Sequence, residues 1–312
     1  MKRFYAFTVL RWLWVFILGF GALVPRSVGA CACGCGVFDV GTSSMFQTHP
    51  GGMAWVEYDY MNQNRNWAGS SPSSANNNSD KQILTNFFTF GHEFMLTREW
   101  GFMVEVPYWA RYFKTDVPGE GDVQGVEHNA MGDLRIKGIY TGLSENMSTG
   151  VTFGLKLPTG DFTYPNFDAD TEIGTGSTDF LLGLYHLGEI PHSNWDWFAN
   201  AQGDQPMLHY SGYLPGSEID AVVGVYYDAW KMGHTKIAPL AQIIGSHRWS
   251  DSGTLADAPD SGYSRVLLTP GIEFDTWRLR IYADVGFPVY QYTTGNQLIA
   301  SELYKLNIGF HF

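Results

Sequence analysis

The last nine residues, "YKLNIGFHF" (304–312), decide the fold class. Tyr304, Leu306, Ile308, Phe310 and Phe312 fall at every second position, with Lys305, Asn307, Gly309 and His311 between them. Successive side chains of a strand point to opposite faces, so this segment is a strand with one wholly apolar face and one polar face. The pattern recurs just upstream in "WRLRIYADVGFPV" (277–289). There Trp277, Leu279, Ile281, Ala283, Val285, Phe287 and Val289 share one face, and Arg278, Arg280, Tyr282 and Asp284 the other.

The opposite end of the chain names the compartment. Lys2, Arg3 and Arg11 lead into "WLWVFILGFGALV" (12–24), an apolar run of 13, and "PRSVGA" (25–30) follows with Val28 and Ala30 at the small-residue positions. Thirteen residues is short of the roughly twenty that a transmembrane helix needs, and the layout is that of a secretory signal removed near residue 30. Removing the four basic residues of this segment from 19 leaves 15 against 31 acidic residues, a net charge of −16. Such a chain excludes nucleic acid as a natural partner. An exported chain rich in Gly (36) and aromatics, with one apolar face per strand, points to a barrel in lipid.

Strands are expected at 52–62, 83–96, 100–113, 128–141, 147–158, 177–187, 194–205, 218–230, 235–248, 263–274, 276–290 and 301–312. Their connections alternate between long polar stretches (63–81, 114–127, 159–176, 206–217, 249–262, 291–300) and short ones. Outer-membrane barrels have short periplasmic turns and long outside loops. The predicted fold is therefore all-β: a transmembrane antiparallel up-and-down β-barrel of about 12 strands, both termini periplasmic, in the outer membrane of a Gram-negative bacterial cell. The predicted organisation is 1–30 signal peptide, 31–51 periplasmic Cys-rich segment, and 52–312 outer-membrane barrel. A closing strand that ends on Phe resembles the last strand of known barrels. That resemblance implies that Tyr304, Leu306, Ile308, Phe310 and Phe312 form the signal read by the barrel-assembly machinery.

Turning the apolar faces toward lipid leaves Glu57, Asp59, Glu93, Glu105, Arg111, Asp133, Arg135, Lys137, Lys156, Asp179, Arg265, Glu273, Arg278, Arg280 and Asp284 as pore-lining residues. A charge facing lipid at mid-depth costs about 2–4 kcal/mol, which fixes the parity of each strand. Interleaved acids and bases either form ion-pair ladders that pack a narrow barrel or line a polar pore that orients a small solute. Twelve strands give a bore between side-chain-filled eight-stranded barrels and open porins, where both hold together. Trp55, Trp100, Trp109, Trp195, Trp197, Trp230, Trp249 and Trp277 sit near strand ends and suit interfacial girdles.

The stretches "GLKLPTGDF" (154–162), "GTGSTDFLLGLYHLG" (174–188) and "FPVYQYTTGNQL" (287–298) resemble outer-membrane barrels of the MetA-pathway-of-phenol-degradation and related transporter-like family. The resemblance implies a porin-like transport channel for a small aromatic or hydrophobic solute that passes by passive diffusion. Lipid and lipopolysaccharide are the expected surroundings. The nine His residues stand apart from any nucleophile, so no catalytic residue is assigned and no enzyme is expected.

Two segments carry other chemistry. Asp168, Asp170 and Glu172 in "DFTYPNFDADTE" (161–172) alternate as hard oxygen ligands for calcium would, or form part of a solvated acidic rim bridged to lipopolysaccharide. "ACACGCGVFDVG" (30–41) holds all three cysteines, Cys31, Cys33 and Cys35. Cys31 is placed to take a lipid as the first residue after cleavage. The three thiols together suit a soft metal such as Cu(I) or Zn(II), or a disulfide to a periplasmic partner. Incidental residues at a processing junction are the plain alternative. The second functional expectation is thus a barrel scaffold that docks a periplasmic redox or soft-metal partner through Cys-x-Cys-x-Cys.

Overall fold

The computed structural model describes residues 50–116, 123–165, 167–210, 212–228 and 230–312; the expected signal peptide and Cys31, Cys33 and Cys35 lie outside the described residues. The wall runs β1 (Gly52–Gly69), β2 (Asp80–Met95), β3 (Trp100–Asp116), β4 (Val123–Met131, resumed at Leu134–Tyr140), β5 (Thr149–Leu157) and β6 (Ser177–Glu189). It continues with β7 (Trp195–His209), β8 (Glu218–Tyr227), β9 (Thr235–Arg248), β10 (Tyr263–Thr276) and a single run Leu279–His311. Each element pairs antiparallel with the next, and the final run pairs with both β10 and β1, which closes the ring.

Eleven elements cannot alternate direction around a closed ring. The final run resolves this by supplying two passes. Residues 279–293 (β11) lie on β10, residues 296–311 (β12) lie on β1, and the His311 amide donates to the Arg278 carbonyl at 2.7 Å across the hairpin. The barrel therefore has twelve passes and closes on itself. The described start of the chain and Phe312 share the end that carries the short turns.

Burial alternates as the period-two pattern requires. Along β1, Met53, Trp55, Glu57, Asp59, Met61 and Gln63 are buried, while Val56 is 41% exposed. Leu182, Leu184, Ile219, Val223, Ile243, Leu306, Ile308 and Phe310 are exposed on the outside, an apolar belt suited to acyl chains. Trp100, Trp195, Trp230, Trp249 and Trp277 are exposed near strand ends. Trp55 departs from the expected girdle: it faces inward and packs with Met53, Met95, Met103, Ile139 and Met147. Trp109 also turns into the barrel, because its neighbour Tyr108 takes the outward position.

Other expectations change as well. The strand expected over 128–141 breaks at Gly132–Asp133, where three residues oppose Val106 and Pro107 of β3. Pro107 has no amide to donate; its carbonyl accepts from Gly132 N at 2.8 Å, and a bulge absorbs the mismatch. Much of 63–81, 206–217 and 291–300 is strand rather than loop, and β11 turns into β12 only around Gly295 (φ +68°). A side chain at Gly295 would be strained by that left-handed backbone and would strike Asp260. Hairpins that project past the bilayer carry polar residues on both faces, so their sequences look like loops. The segment 159–176, expected as an outside loop, turns into the barrel and buries Thr171, Glu172 and Ile173.

Candidate functional site: the barrel lumen

The inward charges are organised into short ion-pair ladders that cross from strand to strand. Lys305 of β12 reaches Glu57 Oε1 at 3.2 Å and lies 3.9 Å from Asp59 Oδ1, while Asn307 Nδ2 donates to Glu57 Oε2 at 3.1 Å. Lys137 of β4 pairs with Glu105 at 2.9 Å and donates to Gln202 at 3.2 Å. Lys156 of β5 sits between Asp179 and Asp204, 3.2 Å from the latter. Gln242 donates to Tyr282 and Asp284 at 2.9 and 3.1 Å, and Arg280 lies 3.2 Å from Asp275 and 3.8 Å from Glu273. Buried charges are tolerable only when paired and hydrogen-bonded, so these contacts explain how a narrow lumen holds so many of them.

At the far end from the chain termini, the 158–176 segment is pinned by two residues. Asp133, set at the β4 bulge, accepts Gly160 N at 3.0 Å on Oδ1, and Thr175 N and Oγ1 at 2.8 and 2.7 Å on Oδ2. Thr159 Oγ1 completes the joint by accepting Leu134 N at 2.8 Å and donating to Gly132 O at 3.2 Å. The two Gly-bearing motifs, 154–162 and 174–188, thus meet on one carboxylate. Gly160 and Gly174 touch through their backbones, and a Cβ on Gly174 would lie 2.5 Å from Gly160. Arg111 holds the other side: its guanidinium donates to the carbonyls of Thr171 and Glu172, at 3.0 Å for Glu172, and to Thr85 at 3.0 Å. His128 stacks on Tyr164 at 3.8 Å and meets Asp161 at 3.1 Å.

Beneath this inward segment lies a cavity roofed by Ile173 and Thr175 and reaching across to Glu218 and Arg248. Its wall is not uniformly polar. Phe87 and Trp109 meet edge to face at 4.8 Å, and Phe87 belongs to an apolar cluster with Met61, Phe198, Val222, Ile244, Leu267 and Leu303 drawn from many strands. The Met-rich cluster around Trp55 follows toward the end that holds the termini. Thioether side chains adapt readily to irregular apolar partners.

No protein-family model matches this chain, and no curated protein matches it in sequence. Its fold has clear counterparts. The COG4313 outer membrane channel from Pseudomonas putida F1 superposes with a TM-score of 0.65 at 13% identity, covering 88% of this chain and 100% of that one. The fold is that of an outer-membrane β-barrel. The β domain of the Bordetella autotransporter BrkA also superposes, with a TM-score of 0.52 at 10% identity over 84% of this chain and 100% of that one. At such identities the likeness concerns the barrel fold alone.

In this barrel, Glu57, Asp59, Glu93, Glu105, Arg111, Asp133, Lys137, Lys156, Asp179, Arg265, Glu273 and Asp284 are buried, and Arg135 and Arg280 are half-buried. Arg278 is exposed instead, because β11 begins one residue later and Arg278 falls in the turn beside Trp277 (φ +54°). Among the described residues no three His, Cys, Asp or Glu side chains converge on a metal position. Asp168 is exposed, Asp170 half-buried and Glu172 turned inward. Sequence reasoning missed Asp204, Glu218 and Lys305 as lumen charges. Lys305 carried the signal, standing on the polar face of the closing strand. Phe87 and Trp109 were hidden because aromatic residues suit a lipid face as well as a lumen.

Proposed function

We propose that the barrel passes a small, partly apolar organic solute across the outer membrane by passive diffusion, with both chain ends in the periplasm. The observation that supports this best is the cavity inside the closed wall, which joins paired charges to the aromatic surface of Phe87 and Trp109. The ladders make the lumen polar without leaving most charges bare, and the apolar clusters offer a path to a solute that is not fully hydrated. Lipid and lipopolysaccharide cover the outer belt, and the residues from Tyr304 to Phe312 serve the barrel-assembly machinery during insertion. The test is planar-bilayer recording of the refolded mature chain. Stepwise openings that a small aromatic solute blocks support the channel, and a silent, correctly folded barrel rejects it.

A further inference from the structure

We infer that the lumen contains a binding site for an organic ammonium group, seated on Asp59 and walled by Phe87 and Trp109. The juxtaposition comes from strand register. Asp59 of β1 lies directly opposite Phe87 of β2, and Phe87 directly opposite Trp109 of β3, so one carboxylate and two aromatic rings form a row at one level of the wall. All three border the cavity.

The charge balance of that row is incomplete. Lys305 serves two carboxylates, and it is nearer Glu57 (3.2 Å) than Asp59 (3.9 Å). Glu57 also receives Asn307, whereas Asp59 is 2% exposed and its Oδ1 has no hydrogen-bond donor. A carboxylate oxygen buried at the edge of a cavity without a donor is a costly arrangement, and a cation entering the cavity relieves it. The neighbours say which kind of cation. A bare metal ion seeks several oxygen ligands, and the described residues gather no such set. Aromatic walls instead favour a weakly hydrated organic cation whose apolar body packs on the rings. The Arg111 guanidinium already lies 5.2 Å above Trp109, so the rings contribute apolar wall and Asp59 contributes charge recognition. The predicted ligand class is a small amine with an aromatic or aliphatic body, in preference to the neutral or anionic molecule of the same shape.

The site deepens the channel proposal, and equilibrium binding separates the two. Isothermal titration of the folded, full mature barrel in detergent would use 2-phenylethylamine, 2-phenylethanol and 3-phenylpropionate, with potassium as competitor. The amine should bind on the order of tenfold more tightly than the alcohol, with the acid weakest. Asp59→Asn should abolish the preference for amine over alcohol, and Phe87→Leu should weaken both ligands together. Equal binding of amine and alcohol by the wild-type barrel overturns the site, as does a preference that survives Asp59→Asn. Potassium competing as well as the amine reduces the row to an inorganic cation site and also overturns it. The wild-type comparison is decisive by itself if Asp59→Asn does not fold. A barrel silent in bilayers that still prefers the amine keeps the site and loses the channel; a conducting barrel without that preference does the reverse.

Discussion

The backbones of Gly52 and Phe312 bond to each other in both directions at 3.0 Å, and the Phe312 ring lies where a Cβ on Gly52 would come within 2.4 Å of it. The barrel therefore closes on its terminal residue, and its first strand is shaped to receive that ring. The same ring lies 5.9 Å from His92 on the outer wall.

Deleting Phe312, or replacing it with Ser, should impair insertion, since the seam loses both its last rung and its apolar end. The measure is the amount of heat-modifiable barrel in isolated outer membranes. A normal amount would contradict this account of the seam.

Lys305→Met tests the ladder at the same seam. It strands Glu57 and Asp59 without their shared cation, and breaking a buried pair on one side costs about 3–5 kcal/mol. Urea unfolding of the barrel in micelles should show that loss, and adding Glu57→Gln should recover part of it. On the outer face, Leu182→Arg should cost about 2–4 kcal/mol by placing a charge in lipid.

Asp133→Ala should free the 158–176 segment. Hydrogen bonds to a charged group contribute about 1.5–3 kcal/mol each, and Asp133 receives three at this joint. Protease cleavage within 158–176 should become faster while the rest of the barrel keeps its heat-modifiable mobility, and conductance should rise. Gly174→Ala should act the same way, by driving its Cβ into Gly160.

Burial, reinforced by the nearby Asp161, pushes the Glu172 carboxyl up to about 8 from an ordinary 4.5. The inward segment thus holds a proton that the released segment gives up near 4.5. Below that value the two states differ little in proton binding. As pH rises from 4.5 to about 8 the inward state loses stability, and above 8 the loss is complete. Conductance should therefore increase over this window, and Glu172→Gln should flatten the change. A wild-type channel that closes progressively on alkalinisation would contradict the assignment.

The alternation of 304–312 and 277–289 was enough to establish a lipid-facing barrel, the closing strand and the parity that buries residues such as Glu57, Glu105 and Lys156. That information is local: period-two patterning belongs to each strand alone, and lipid penalises every error in it. The lumen is different. Asp59 meets Lys305 across 246 positions of sequence, Asp133 collects Gly160 and Thr175 only because Pro107 forces a bulge, and Phe87 aligns with Trp109 by register. Arg278 was misplaced for a local reason, since it stands in the turn one residue before β11 begins. Which side chain faces inward is written along the strand, but which inward side chains touch depends on how distant strands are paired, and only the closed ring sets that.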